Sequence, residues 1–148
     1  MIIIMRHLSN KDKKQLKEFL PLNYEVEKKD NLKIDGSIMY RDDEPFLVIL
    51  GQNEYAPHMD TFNDTDFPFI TVDDGAMPYV AKGADMMRPG IVQISDNVVK
   101  DQLVAIKSET YNKSIAIGRA LFDSNEIKTC EKGRMVKMIH YMGDSYCG

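Results

Sequence analysis

The stretch Thr71–Ile91, TVDDGAMPYVAKGADMMRPGI, decides how this chain is read. It opens at the end of FPFITV (residues 67–72), a β-branched apolar run that reads as a strand. Asp73 or Asp74 is then placed to cap a short helix, in which Pro78 is tolerated only in the first turn. Gly83 closes that helix in the left-handed conformation that glycine adopts without strain. Before the next apolar run, IVQI, stands the loop GADMMRPG (83–90), which carries more special residues than a bare turn needs. Backbone geometry and an exposed contact surface are both open as its explanation.

Downstream, IVQI, QLVAIKS and SIAIGRALF read as short strands joined by Asp- and Asn-bearing turns. Ser124 is placed to cap a last helix, NEIKTCEK, with Gly133 to end it, and MVKMIHYM reads as a final strand. Many short strands with two brief helices predict a small barrel-like sheet over residues 66–148. Upstream, MIIIMRH reads as a buried strand. Ser9 with Asp12 forms a capping-box pattern before the amphipathic SNKDKKQLKEFL, which Pro21 ends. NYEVEKK, LKI, IMYR and PFLVILG then read as strands of a small meander, with turns at KDN, DGS and DDEP. The stretch 51–68 reads as polar and turn-rich, with Asn63–Asp66 as linker. The expectation is an α+β chain: residues 1–65 as a small α+β domain, residues 66–148 as a β pseudo-barrel with two short helices.

Composition removes several function classes. The net charge of −4 over 148 residues argues against coating nucleic acid by bulk charge, so any such site must be a local basic patch. Nine Lys/Arg face twelve Asp/Glu in residues 1–65, and ten face eleven in residues 66–148. Two cysteines without CxxC spacing read as reduced structural thiols, and no zinc pattern occurs. MIIIM is too short to span a bilayer and lacks the parts of a secretory signal, so no membrane role and a cytoplasmic location are expected. GxSxG, P-loop, Rossmann and HExxH patterns are all missing. Asp73–Asp74 is explained by helix capping rather than acid/base work. No enzyme, no cofactor and no metal are expected.

TVDDGAMPYVAKGADMMRPGI, IAIGRALF and VKMIHYMGD, in that order, resemble the PUA domain (pseudouridine synthase and archaeosine transglycosylase), an RNA-binding module. The resemblance covers roughly residues 67–145. With the preceding residues as a pre-PUA domain, the layout is similar to the malignant T-cell amplified sequence family of translation factors, known from archaea and eukaryotes. The resemblance implies a non-catalytic protein binding structured RNA, tRNA or rRNA, with the small ribosomal subunit and a translation-factor partner as possible company. The alternatives are a protein-interaction module partnering a translation factor and an RNA-targeting subunit of a modification enzyme.

It also implies an RNA site at the loop after the first PUA helix: Lys82, Gly83, Ala84, Asp85, Met87, Arg88, Pro89 and Gly90, with Arg119 and Lys137 on neighbouring strands. Glycine would let a phosphate or ribose reach main-chain N–H groups near Gly83–Ala84. Arg88 offers a planar fork for phosphate, its aim fixed by Pro89. Arg88→Ala is then expected to weaken RNA binding with little change in stability. Two to four engaged phosphates imply a log–log salt slope of about −2 to −3. Against this stand plainer readings. Gly83 serves equally as a helix C-cap, and at least one of Met86 and Met87 as core. Arg119 suits a structural ion pair, Lys11, Lys13, Lys14 and Lys17 a solvated face, and His140 a satisfied internal position.

Overall fold

The computed structural model describes residues 6–147, and the chain divides between Asn63 and Asp64 into two units. In the first, strands β1 (Arg6–His7), β2 (Leu32–Asp35), β3 (Ile38–Arg41), β4 (Glu44–Gly51) and β5 (Glu54–Pro57) form one sheet in sequence order, every pair antiparallel. Helix α1 (Asn10–Leu16) begins as the sequence predicts. The Ser9 hydroxyl accepts the Asp12 N–H at 3.1 Å and the Asp12 carboxylate accepts the Ser9 N–H at 3.0 Å. Leu16, Val26, Leu32, Met39, Phe46 and Leu47 make the core of this unit.

Three expectations for this half need correction, and a fourth lies mostly outside the described residues. NYEVEKK is not a strand. The Glu27 N–H goes to the Asp30 carboxylate at 2.8 Å and the Asp30 N–H to the Glu27 carbonyl, so a local turn takes the backbone groups that a ladder would need. The polar 51–68 stretch contains a strand, β5, folded back on β4 through Gln52 and Asn53, with Asn53 at φ 58°. Lys13 does not lie on a solvated face: it is buried, and its ammonium donates to the Lys28 carbonyl at 2.9 Å. Of MIIIMRH only Arg6 and His7 lie within the described residues; they pair with β2 and are exposed.

The second unit contains β6 (Phe69–Val72), α2 (Met77–Val80), β7 (Met86–Met87), β8 (Ile91–Ile94), β9 (Leu103–Ser108), β10 (Ser114–Ala120), α3 (Ser124–Thr129) and β11 (Arg134–Tyr141). Its six strands run in the order β7-β11-β10-β9-β6-β8, with β6 and β9 parallel and the other pairs antiparallel. The result is a nearly closed β pseudo-barrel, and the α+β class is as expected. Ile70, Val72, Val104, Ile106, Ala116, Ile127 and Val136 fill it, each fully buried.

Helix α3 differs in detail from its sequence reading. Asp123, not Ser124, holds the N-cap position, and the Ser124 hydroxyl instead donates to the Ser95 carbonyl at 2.9 Å. The helix stops at Thr129, and Gly133, at φ 101°, makes the turn into β11. The pairing of β10 with β11 carries a bulge beside Ile117 and Gly118, where Ile139 of β11 is the extra residue. No helix among the described residues is long and apolar enough to cross a membrane.

Candidate nucleic-acid interface

Helix α2 is short because it is fixed at both ends. The Asp73 carboxylate accepts the Ala76 N–H at 2.8 Å, setting the turn before the helix, and Pro78 sits in its first turn. At the far end the Gly83 N–H donates to the Val80 carbonyl at 3.0 Å and the Ala84 N–H to the Tyr79 carbonyl at 3.0 Å. This paired closure needs a left-handed residue, and Gly83 has φ 88°. A Cβ there would also lie 2.5 Å from Cε1 of Tyr141. The donors expected to meet an incoming RNA backbone at Gly83 and Ala84 are therefore already bonded to the helix.

The rest of the loop is tied down residue by residue. One Asp85 oxygen accepts the Met138 N–H at 2.8 Å and the other meets the Arg134 guanidinium at 3.0 Å, which fastens the loop to β11. Met86 is buried in the core, whereas Met87 is 47% exposed. Arg88 is half-buried: its Nε donates to the Ile127 carbonyl at 2.9 Å and its Nη1 to the Ile91 carbonyl at 3.1 Å. The Ile127 carbonyl, in the last turn of α3, thus accepts this cation as well as the Cys130 N–H at 3.2 Å. Gly90 permits close approach, since a Cβ would fall 2.7 Å from both Ala76 Cβ and Met86 Cε.

Between these two segments runs an open groove of 330 Å³. Ala76, Tyr79 and Val80 form one wall, Asp85, Met86 and Met87 the other, and Pro89 and Gly90 lie with Asp73 and Gly75 along its length. Tyr79 is 68% exposed, so an aromatic ring and a thioether stand at the rim. Both carboxylates in the lining have partners, Asp73 the Ala76 N–H and Asp85 the contacts on β11.

Of the residues expected at an RNA site, Asp85, Met87, Pro89 and Gly90 line this groove. Lys82, exposed just past α2, Gly83, Ala84 and Arg88 flank it without lining it. Arg119 and Lys137 are direct cross-strand partners on β10 and β11, outside the lining, with Lys137 exposed and Arg119 donating to the Asp101 carbonyl at 2.8 Å. Tyr79 was missed from sequence. The available signal was an aromatic in a short helix whose neighbour Val80 faces the core.

Near the end of β11 His140 is fully buried, with Nδ1 2.7 Å from an Asp144 oxygen. Burial alone would raise the Asp144 carboxyl. Hydrogen bonds from His140 and from the Tyr141 and Tyr146 N–H groups outweigh it and hold the group below its ordinary 3.8. Among the described residues no group of three or more His, Cys, Asp or Glu could hold a metal ion.

Comparison with known proteins places this geometry. An uncharacterized protein of Methanocaldococcus jannaschii is 32% identical over 148 residues, spanning 93% of this chain and 91% of its own length. Malignant T-cell-amplified sequence 2 of Homo sapiens is 26% identical, with 89% and 81% covered. Translation machinery-associated protein 20 of Eremothecium gossypii is 33% identical over 84 residues, 53% of this chain but 46% of that protein, so the match spans about half of that relative. A crystal structure of a PUA domain from Aeropyrum pernix superposes with a TM-score of 0.82 at 24% identity, covering 97% of this chain and 89% of the other. The family model for the PUA domain matches residues 68–142, from the start of β6 to the end of β11, and the chain belongs to the PUA domain family.

Proposed function

We propose that this chain is a non-catalytic, cytoplasmic RNA-binding protein acting in translation, with tRNA or rRNA as its target. In this reading residues 1–65 are a pre-PUA domain and residues 66–148 the PUA domain, and the small ribosomal subunit and a translation-factor partner are its setting. The observation that carries the reading is the open groove beside α2, with Tyr79 and Met87 exposed at its rim, inside the span 68–142 that the PUA model matches. Relatives named as translation machinery-associated support the setting.

The mechanism differs from an N–H shelf. Tyr79, Met87 and Pro89 offer apolar surface to a base or ribose, a sequence-tolerant contact that single-stranded ends and loops can reach. Lys82, beside the helix end, is placed for a phosphate. The rigid attachment of the loop to β11 and α3 holds the groove open at little entropic cost to the complex. The test is fluorescence anisotropy with bulk tRNA and with rRNA fragments at low salt. Tyr79→Ala is expected to weaken binding by about 1–3 kcal/mol while leaving the thermal transition in place, since the ring is mostly exposed. Wild-type protein that binds neither RNA removes the proposal.

A protein-interaction role has one observation in its favour. In the first unit a pocket of 410 Å³ is lined by Lys17, Leu20, Tyr24, Glu25, Val26 and Glu27, and Phe19 and Leu22 are exposed nearby in the chain. A partner retained on the protein after nuclease treatment supports that role; loss of all partners with the RNA excludes it.

A further inference from the structure

The hairpin between β9 and β10 carries Tyr111 at its tip, 78% exposed, the most exposed large apolar side chain among the described residues. The tip is nevertheless well fixed. The Ser108 N–H donates to the Lys113 carbonyl at 3.0 Å, the Asn112 N–H to the Ser108 carbonyl at 2.8 Å, and the Tyr111 N–H to the Ser108 hydroxyl at 3.3 Å. Asn112 takes the left-handed turn at φ 49°. Two further bonds tie the hairpin to the segment leading into α2: the Glu109 N–H to the Val72 carbonyl at 3.0 Å, and the Thr110 hydroxyl to the Asp74 carboxylate. Asp74 stands between Asp73 and Gly75, both of which line the groove. Tyr111 is therefore next in the chain to a residue bonded to Asp74, whose two chain neighbours line the groove.

The core does not need this ring, because most of it faces water. Its chain neighbours Glu109, Thr110, Asn112 and Lys113 are all exposed and polar. That is too little apolar surface for a protein interface, which needs a contiguous patch. A single exposed ring on a fixed hairpin, with a lysine two residues away, instead offers an unpaired nucleotide a face for its base and a cation for its phosphate.

We infer that Tyr111 is a second stacking site, taking an unpaired base of the same RNA strand that occupies the groove, with Lys113 against the adjoining phosphate. Thr110 and Asp74 set the position of the site. The inference rests on the RNA-binding reading of the groove.

The test uses the full chain and bulk tRNA, with affinity read by anisotropy across a salt series and folding checked by thermal melts. Tyr111→Ala is expected to weaken binding about tenfold with the salt slope unchanged, and Tyr111→Phe to restore it. Lys113→Gln is expected to make the slope shallower by about 0.7. Thr110→Val, which cuts the tie to Asp74 and keeps the ring, is expected to give a smaller loss. If Tyr79→Ala weakens binding and Tyr111→Ala does not, the second site is overturned and the groove stands. Equal loss in the Phe and Ala variants overturns stacking in favour of the hydroxyl. Wild-type protein that fails to bind tRNA overturns both.

Discussion

Two demands coincide at Gly83: a positive φ that closes α2, and contact with the Tyr141 ring across what would be the Cβ position. Gly83→Ala meets both penalties. It is expected to cost about 2–4 kcal/mol in chemical denaturation, from the left-handed conformation and the overpacking together. The first demand was legible locally, from a glycine after a helical stretch. The second was not, because Tyr141 lies 58 positions further on in the sequence. Arg88 makes the same point more sharply. Its acceptor at Ile127 is 39 residues away, so the sequence showed a planar cation and not the carbonyl that claims it. Arg88→Ala is accordingly expected to lower stability by about 1–3 kcal/mol, removing a charged donor from the Ile91 carbonyl and from the Ile127 carbonyl, which keeps only the Cys130 N–H. A thermal melt unchanged by the substitution returns Arg88 to the role of a free phosphate fork.

Elements were legible where their signals are local. The Ser9–Asp12 capping box, the Asp42–Asp43 turn with φ 50° and 70°, and the apolar strands of the second unit follow from spacing and turn chemistry. β5 was not, because EYAP is short and set in polar company; its strand character comes from pairing with β4. The end of β11 carries a test of its own. Asp144 is held below 3.8 in the fold, so between that lowered value and 3.8 the unfolded chain binds more protons than the folded one. Its stabilisation is fully present above 3.8 and is lost as pH falls through the lowered value. Asp144→Asn is expected to reduce stability at neutral pH and to narrow the gap from wild type as pH drops below about 3.8, in denaturant midpoints measured along the acid arm. A constant gap at every pH removes the role of the charge.

For the molecule as a whole, the acidic balance and the bonds made by Arg88 leave few cations for a phosphate chain. The log–log salt slope of tRNA affinity is therefore expected to be about −1 to −2, shallower than the −2 to −3 that the free Arg88 fork implied. A steeper slope points to cations beyond Lys82 and Lys113. The ordered PUA-like blocks, the α+β class, the alternation of short strands and the absence of familiar catalytic patterns were all readable along the chain. They depend on neighbours within a few residues, or on the order of blocks, and a linear string records both. The groove was not readable in this way. Its two walls come from α2 and the Asp85–Gly90 segment, and the second wall is held by Met138 and Arg134 of β11 and by Ile127 of α3. Which donors near Gly83 remain open, which ring faces water and which arginine is occupied depend on atoms distant in sequence and adjacent in space. Folding sets those pairings by competition for buried hydrogen bonds and close packing, and no local pattern encodes its outcome.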